Sequence, residues 1–211
     1  VILLTSLFLI FVPAVFFFFR DFAGMPVRER TLCALFQSVT TRTAGFNTAD
    51  LSGMTGASQA IMIILMMIGG APGSTAGGMK ITTFAVLTAN ASATFRQRED
   101  TQMFGRRVAQ EVLKNASTIL MMYLFLVLMG GMVISVAENL PISDCLFETA
   151  SAVGTVGLTL GITPRLGVLS KGILIALMFL GRVGGLTLVY AAMPGRKSAH
   201  AKMPLEKINV G

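Results

Sequence analysis

The sequence predicts an all-α membrane protein made of two related units. Each unit is a spanning helix, a short pore helix, a filter loop and a second spanning helix. Three observations carry this. Hydrophobic residues make up 54% of the 211 and charged ones only 13%. The mean hydropathy of +0.74 belongs to an integral membrane protein, not a soluble domain. Long uncharged runs recur along the chain. The phrase Thr-x-Gly occurs twice, once in each half of the chain, as Thr43-Ala44-Gly45-Phe46-Asn47 and Thr155-Val156-Gly157-Leu158-Thr159.

Val1–Phe19 is an uncharged run, long enough to span at ~1.5 Å per residue. It has no basic region before it and no small-residue cleavage site, so it is not a signal peptide. The chain starts at Val inside this run, and further segments are expected upstream. Arg28–Thr40 reads as a pore helix that stops just before the first Thr-x-Gly. Ala57–Ile68 is apolar but too short to span. It runs into Gly69–Gly78, half of it Gly and with Pro72 inside, which cannot continue a helix. Apolar character resumes over Met79–Ala93. One spanning segment is therefore broken at membrane depth, which is tolerated only where the loop is buried in protein or lines a water-filled cavity. Asn90–Lys114 is a basic linker. Ser117–Val136 is a second uncharged run of spanning length, and Ser143–Ala152 a second pore helix. Gly172–Met193 is a third long run, interrupted only by Arg182. These boundaries give a first unit at 1–95, a linker at 96–114, a second unit at 115–195 and a tail at 196–211.

The self-similarity extends beyond the phrase. The offset that superposes Thr43 on Thr155 also lays Leu65-Met66-Met67-Ile68-Gly69-Gly70 on Leu177-Met178-Phe179-Leu180-Gly181-Arg182, and Cys33 on Cys145. Leu35-Phe36-Gln37 matches Leu146-Phe147-Glu148 at an offset shorter by one position, so one residue enters the second unit near Gly154. The two cysteines are expected to be free thiols in the pore helices rather than a disulfide. His200 reads as a solvated residue of the tail.

Charge orients the bundle. The linker and tail hold nine basic residues (Arg96, Arg98, Arg106, Arg107, Lys114, Arg196, Lys197, Lys202 and Lys207), against six in the filter-bearing loops (Arg20, Arg28, Arg30, Arg42, Arg165 and Lys171). The positive-inside rule places linker and tail in the cytoplasm and both filter loops outside. The same rule accounts for the net charge of +7. A nucleic-acid partner is excluded, because the basic residues do not interleave with aromatics on one face.

The spacing implies ion chemistry. The pore-helix C-termini face the cavity, where their partial negative charge favours a cation. Backbone carbonyls of Thr43, Ala44, Gly45 and Phe46, and of Thr155, Val156, Gly157 and Leu158, would replace part of an ion's hydration shell. Oxygen-only coordination without an acidic side chain in the spanning segments suits a hard monovalent cation, with no other metal and no cofactor. Two filter loops give two walls, and encircling an ion takes about four. The others come from further sequence or a second chain.

These residues resemble the Trk/Ktr/HKT superfamily of potassium-transporter membrane subunits, specifically the C-terminal half of its pore. Thr41-Arg42-Thr43-Ala44-Gly45-Phe46-Asn47 is similar to that family's third filter and Thr155–Thr159 to its fourth. Gly69–Gly78 followed by Met79-Lys80 resembles its intramembrane loop, and Arg182 the arginine of its last helix. The tail Pro204–Gly211 looks like the Ktr branch, where the terminal Gly sits near a dimer contact. The resemblance implies potassium as the transported ion and a multi-pass protein of the cell membrane in contact with lipid. It also implies four repeats around one pore, a homodimer, and a cytosolic nucleotide-binding regulatory ring. This sequence departs from that in showing two repeats.

A guanidinium near mid-membrane costs at least ~2.5 kcal/mol and needs partners. The expectation is that Arg182 pairs with the carbonyls of the loop and with Ser74 and Thr75. Gly69, Gly70, Gly73, Ser74, Thr75, Gly77, Gly78 and Arg182 would then form a gate below the filter. A structural alternative is that Arg182 merely ties two helices, and Lys80 either snorkels or turns inward. The loop is not a phosphate cradle, since it ends Gly78-Met79-Lys80 between apolar segments. The runner-up for the whole chain is a cation-coupled secondary transporter with a discontinuous helix. An enzyme is not expected, for want of an intramembrane His, Asp or Glu.

Overall fold

The computed structural model describes residues 1–98 and 100–184. Within them the helices are α1 Ile2–Arg20, α2 Val27–Thr40, α3 Gly56–Met67, α4 Ile81–Phe95, α5 Gln110–Glu138, α6 Ile142–Val153 and α7 Val168–Val183. A two-stranded hairpin, β1 Gln102–Met103 with β2 Arg106–Arg107, lies between α4 and α5. The linker is thus partly folded, a small departure from the all-α expectation. Its turn residues Phe104 and Gly105 both take positive φ, which closes the tight reversal. Beside it Arg107 pairs with Asp100 at 2.9 Å.

Both α1 and α5 are long and apolar enough to cross a membrane. Helix α5, with 29 residues, exceeds the apolar run because its first turns, from Gln110, carry polar side chains. The expected last span reaches Met193, and α7 is described only to Val183. The remainder, with His200 and the tail's basic residues and Gly211, lies outside the described residues.

The short helix α6 forms the centre. It packs against α5, α7 and α3, and most of its residues are buried. Gly130 and Gly131 let α5 approach, since a Cβ there would meet Leu177, Thr149 and Leu146 side chains. In the other half α2 packs mainly on α1. Arg30 fixes that pair, donating from Nε to the Phe18 carbonyl at 2.5 Å and lying 4.0 Å from the centroid of the Phe18 ring.

Both halves cap their later helix in the same way. Asp21, just past α1, accepts from the Thr55 amide at 2.9 Å and the Ser58 hydroxyl at 2.5 Å at the start of α3. Glu138, the last residue of α5, accepts from the Gly167 amide at 2.7 Å and the Ser170 hydroxyl at 2.6 Å at the start of α7. Thr55 and Ser58 fall on Gly167 and Ser170 at the same offset that superposes the two Thr-x-Gly phrases. Carboxylates at helix N-termini satisfy free amides and favour the dipole.

Candidate functional site

Both Thr-x-Gly phrases follow directly from the C-terminus of a short helix. Helix α2 ends at Thr40, whose carbonyl accepts from the amides of Ala44 and Gly45 at 3.3 and 3.1 Å. Helix α6 ends at Val153, and the Ser151 carbonyl accepts from the Val156 amide at 2.9 Å. The backbone then repeats one unusual conformation. Thr43 and Gly45 have φ of 62° and 74°, Thr155 and Gly157 of 52° and 94°, while the residues between them stay at negative φ. A β-branched residue at positive φ is a genuine outlier, disfavoured by about 1–2 kcal/mol. Finding it at the same place in both halves marks a built feature. Backbone carbonyls that replace an ion's hydration shell need such uncommon dihedrals to leave the helical hydrogen-bond pattern.

The two turns touch. A Cβ on Gly45 would lie 2.0 Å from the Val156 carbonyl oxygen, so the first turn passes backbone-to-backbone against the second. Their anchors differ. After the first turn the Thr40 hydroxyl donates to the Phe46 carbonyl at 2.5 Å, and Phe46 is exposed. Arg42 reaches across to the Ser6 carbonyl on α1 at 3.2 Å. At the second turn the Gly157 amide donates to Ser151 Oγ at 3.2 Å, and Leu158 is buried. The buried Glu148 carboxylate accepts from the Thr159 and Thr163 hydroxyls, both at 2.5 Å, and from the Leu160 amide at 3.1 Å.

The break between α3 and α4 has a hydrogen-bonded neck and a head tethered by side chains. Ile68 and Met79 form a parallel bridge. The Met79 amide donates to the Met67 carbonyl at 2.9 Å, the Gly69 amide to Met79 at 2.7 Å, and the Ile81 amide to Gly70 at 3.2 Å. Gly69 and Gly70 therefore belong to the neck, and the stretch from Ala71 to Gly77 forms the head. The head is tied at two points. Lys80 Nζ donates to the carbonyls of Ser74 at 3.1 Å and Ala76 at 2.7 Å. The Gly77 amide donates to Thr155 Oγ1 at 3.1 Å, so the loop hangs from the second Thr-x-Gly turn.

The loop's hydrogen bonds depart from the expectation for Arg182. The cation bound to its carbonyls is Lys80, and no hydrogen bond joins Arg182 to the loop among the described residues. The Ser74 hydroxyl turns back to the Ala71 carbonyl at 2.7 Å. Arg182 instead lines a cavity of about 560 Å³ together with Thr155, Val156, Gly157, Leu158 and Glu148. Cys33 and Cys145 are free, and no cluster of metal-ligating side chains occurs among the described residues. Sequence reasoning missed Lys80 as the loop's partner, the Gly77–Thr155 bond and Glu148. For Glu148 a signal existed in its alignment with Gln37, a polar pair inside the pore helices.

Comparison with known proteins places this geometry in context. A family model described as TrkH, cation transport protein, matches residues 1–201. The chain is 40% identical over 189 residues to the potassium/sodium uptake protein NtpJ of Enterococcus hirae, covering 87% of this chain and 42% of that protein. It is 39% identical over 163 residues to the Ktr system potassium uptake protein B of Bacillus subtilis, covering 77% of this chain and 37% of that one. The crystal structure of the potassium transporter TrkH from Vibrio parahaemolyticus shares the fold with a TM-score of 0.78 at 20% identity, over 90% of this chain and 43% of that one. The chain thus spans about two-fifths of the length of these relatives.

Proposed function

The chain belongs to the TrkH cation transport protein family, and from that premise we propose that it builds half of a potassium uptake pathway across the cell membrane. The carrying observation is the paired positive φ at Thr43/Gly45 and Thr155/Gly157. On this reading 1–95 and 115–195 are two quarters of the pore, joined by a cytoplasmic linker, with the tail also cytoplasmic. The carbonyls of Thr43–Phe46 and Thr155–Leu158 take over part of the shell of a dehydrating K⁺. The remaining quarters come from further repeats or a second chain. The exposed Val27, Leu32, Phe36 and Val39 of α2 support this, as an apolar flank awaiting cover. A homodimer and a cytosolic nucleotide-binding ring are carried over from the family resemblance. The names of the Ktr relatives, each one component of a system, support a regulatory partner.

The Gly-rich loop serves as the gate. It is bonded to Thr155 at the filter's inner end, and Lys80 braces it. Arg182 adds a positive charge to the same cavity, which repels permeating cations until the loop and helices move. The test is isotope flux through the full-length transporter. Potassium flux that needs no co-substrate and loses its preference over Na⁺ when Gly45 or Gly157 becomes Ser supports the reading. Unchanged discrimination in both variants removes the filter, and flux strictly tied to a second ion favours the secondary transporter.

A further inference from the structure

We propose that Glu148 is a positioning residue for ion selectivity, holding the outer end of the second filter turn through its carboxylate. This rests on the filter reading above. Glu148 is only 4% exposed, and no cation pairs with it among the described residues. Its oxygens are filled instead by three donors. Oε1 receives the Thr159 hydroxyl at 2.5 Å and the Leu160 amide at 3.1 Å, and Oε2 receives the Thr163 hydroxyl at 2.5 Å. All three donors lie on the segment that leaves the filter. The short contacts are those of charge-assisted bonds, stronger than neutral ones. The Ser151 hydroxyl holds the Gly157 amide one turn along the same helix. The second turn is therefore clamped on both sides of Leu158.

The equivalent position in the first half shows that the clamp is not a requirement of the fold. Gln37, which the internal repeat aligns with Glu148, is also buried, at 1% exposed. Its Nε2 meets the Met62 sulfur at 3.6 Å, and its Oε1 has no hydrogen-bond partner among the described residues. It makes no bond to the filter segment. A buried carboxylate is costly unless its acceptors are filled, and here what fills them is the backbone and hydroxyls beyond the ion-lining carbonyls. Fixed carbonyls discriminate between K⁺ and Na⁺ only if they do not collapse onto the smaller ion. A clamp just outside Leu158 supplies that resistance.

The experiment measures the K⁺/Na⁺ flux ratio, per correctly inserted molecule, for Glu148→Gln, Thr163→Val, the double variant and Gln37→Leu in the full-length transporter. Glu148→Gln replaces one acceptor oxygen by a donor, so the ratio is expected to fall roughly tenfold, the worth of one charge-assisted bond. Thr163→Val should lower the ratio in the same direction, and the double variant should fall by less than the sum of the two single effects, since both act on the one contact between positions 148 and 163. Gln37→Leu should leave the ratio near wild type. If Glu148→Gln inserts poorly, Thr163→Val alone carries the test. A proportional loss of both K⁺ and Na⁺ flux would show a simple attractive charge and overturn the proposal. So would an unchanged ratio in Thr163→Val. Should Gly45→Ser and Gly157→Ser also both leave the ratio intact, the filter reading falls instead, and the two failures are told apart.

Discussion

The first Thr-x-Gly turn follows a short helix with few buried residues, and the second follows one that is mostly buried. The first leads into a helix cut in two, the second into α7, continuous to Val183. Yet the backbone at Thr43–Gly45 and Thr155–Gly157 takes the same conformation. The turn itself is what both halves share, and the tethers around it are where they differ. The first turn leans on the second through Gly45 and Val156. The second is held by α6 on one side and carries the loop on the other. A disturbance in the loop should therefore reach the second turn directly and the first only through it.

The largest expected effect tests the contact between the turns. Gly45 and Gly157 both sit at positive φ, where any side chain is strained by about 1–2 kcal/mol. Only at Gly45 would the new Cβ also strike a backbone oxygen, 2.0 Å away, while Gly157 has nothing within 4 Å. Gly45→Ser should thus abolish most selective K⁺ flux, and Gly157→Ser should reduce it more mildly. Flux ratios measured side by side settle the order, and equal damage would break the asymmetry.

Next in size is the tie between loop and filter. A Cβ on Gly77 would fall 2.3 Å from Thr155 Oγ1 and 3.0 Å from its Cβ, and a β-branched side chain has little freedom to yield. Gly77→Ala should push the head off its anchor and raise cation flux several-fold. Gly73→Ala, with open space around it, strains the head at φ 83° without striking Thr155 and should raise flux less. If Gly73→Ala equals or exceeds Gly77→Ala, loop flexibility matters rather than its attachment to the second turn.

A smaller rise is expected from the cations beneath the filter. Lys80→Met removes two hydrogen bonds to the loop's carbonyls. Arg182→Ala removes a charge that lines the cavity without removing a bond to the loop. Each should increase flux, and the effects should add because they act by separate routes. Normal insertion with no gain for Arg182→Ala would reduce that residue to a tie between helices. A strongly non-additive double variant would show that Arg182 acts through Lys80.

What was legible in the sequence is what depends on neighbours along the chain. Apolar runs, the Gly density of 69–78 and the two Thr-x-Gly phrases each announce a local conformation. The short helices begin directly after Pro26 and Pro141, which sets their starts. The unread parts join residues far apart. Gly77 and Thr155 are 78 positions apart, and Glu138 and Ser170 are 32. No periodicity carries such pairs. Arg182 was linked to the loop on the argument that a buried cation needs carbonyls. In the structure Arg182 is exposed, and the half-buried Lys80 follows the loop so closely that it reaches the carbonyls by chain proximity alone. The hairpin at 102–107 escaped because its strands are too short to leave an alternation to detect.

The smallest effect concerns the paired caps, which the two halves build with different atoms. Asp21 uses both oxygens, Oδ1 for the Thr55 amide and Oδ2 for the Ser58 hydroxyl. Glu138 uses one oxygen, Oε1, for both the Gly167 amide and the Ser170 hydroxyl. An amide side chain keeps one acceptor oxygen. Asp21→Asn can therefore keep both contacts only if the Ser58 hydroxyl turns round to accept from the new Nδ2–H, whereas Glu138→Gln keeps both by presenting its oxygen to the cap, with no donor reversed. Losing a cap bond costs a helix about 1 kcal/mol. Asp21→Asn should accordingly lower the thermal unfolding midpoint of the purified transporter by a small, measurable amount, and Glu138→Gln should leave it nearly unchanged. Equal shifts in both variants would mean that the negative charge at the helix start, and not the count of bonds, supports α3 and α7.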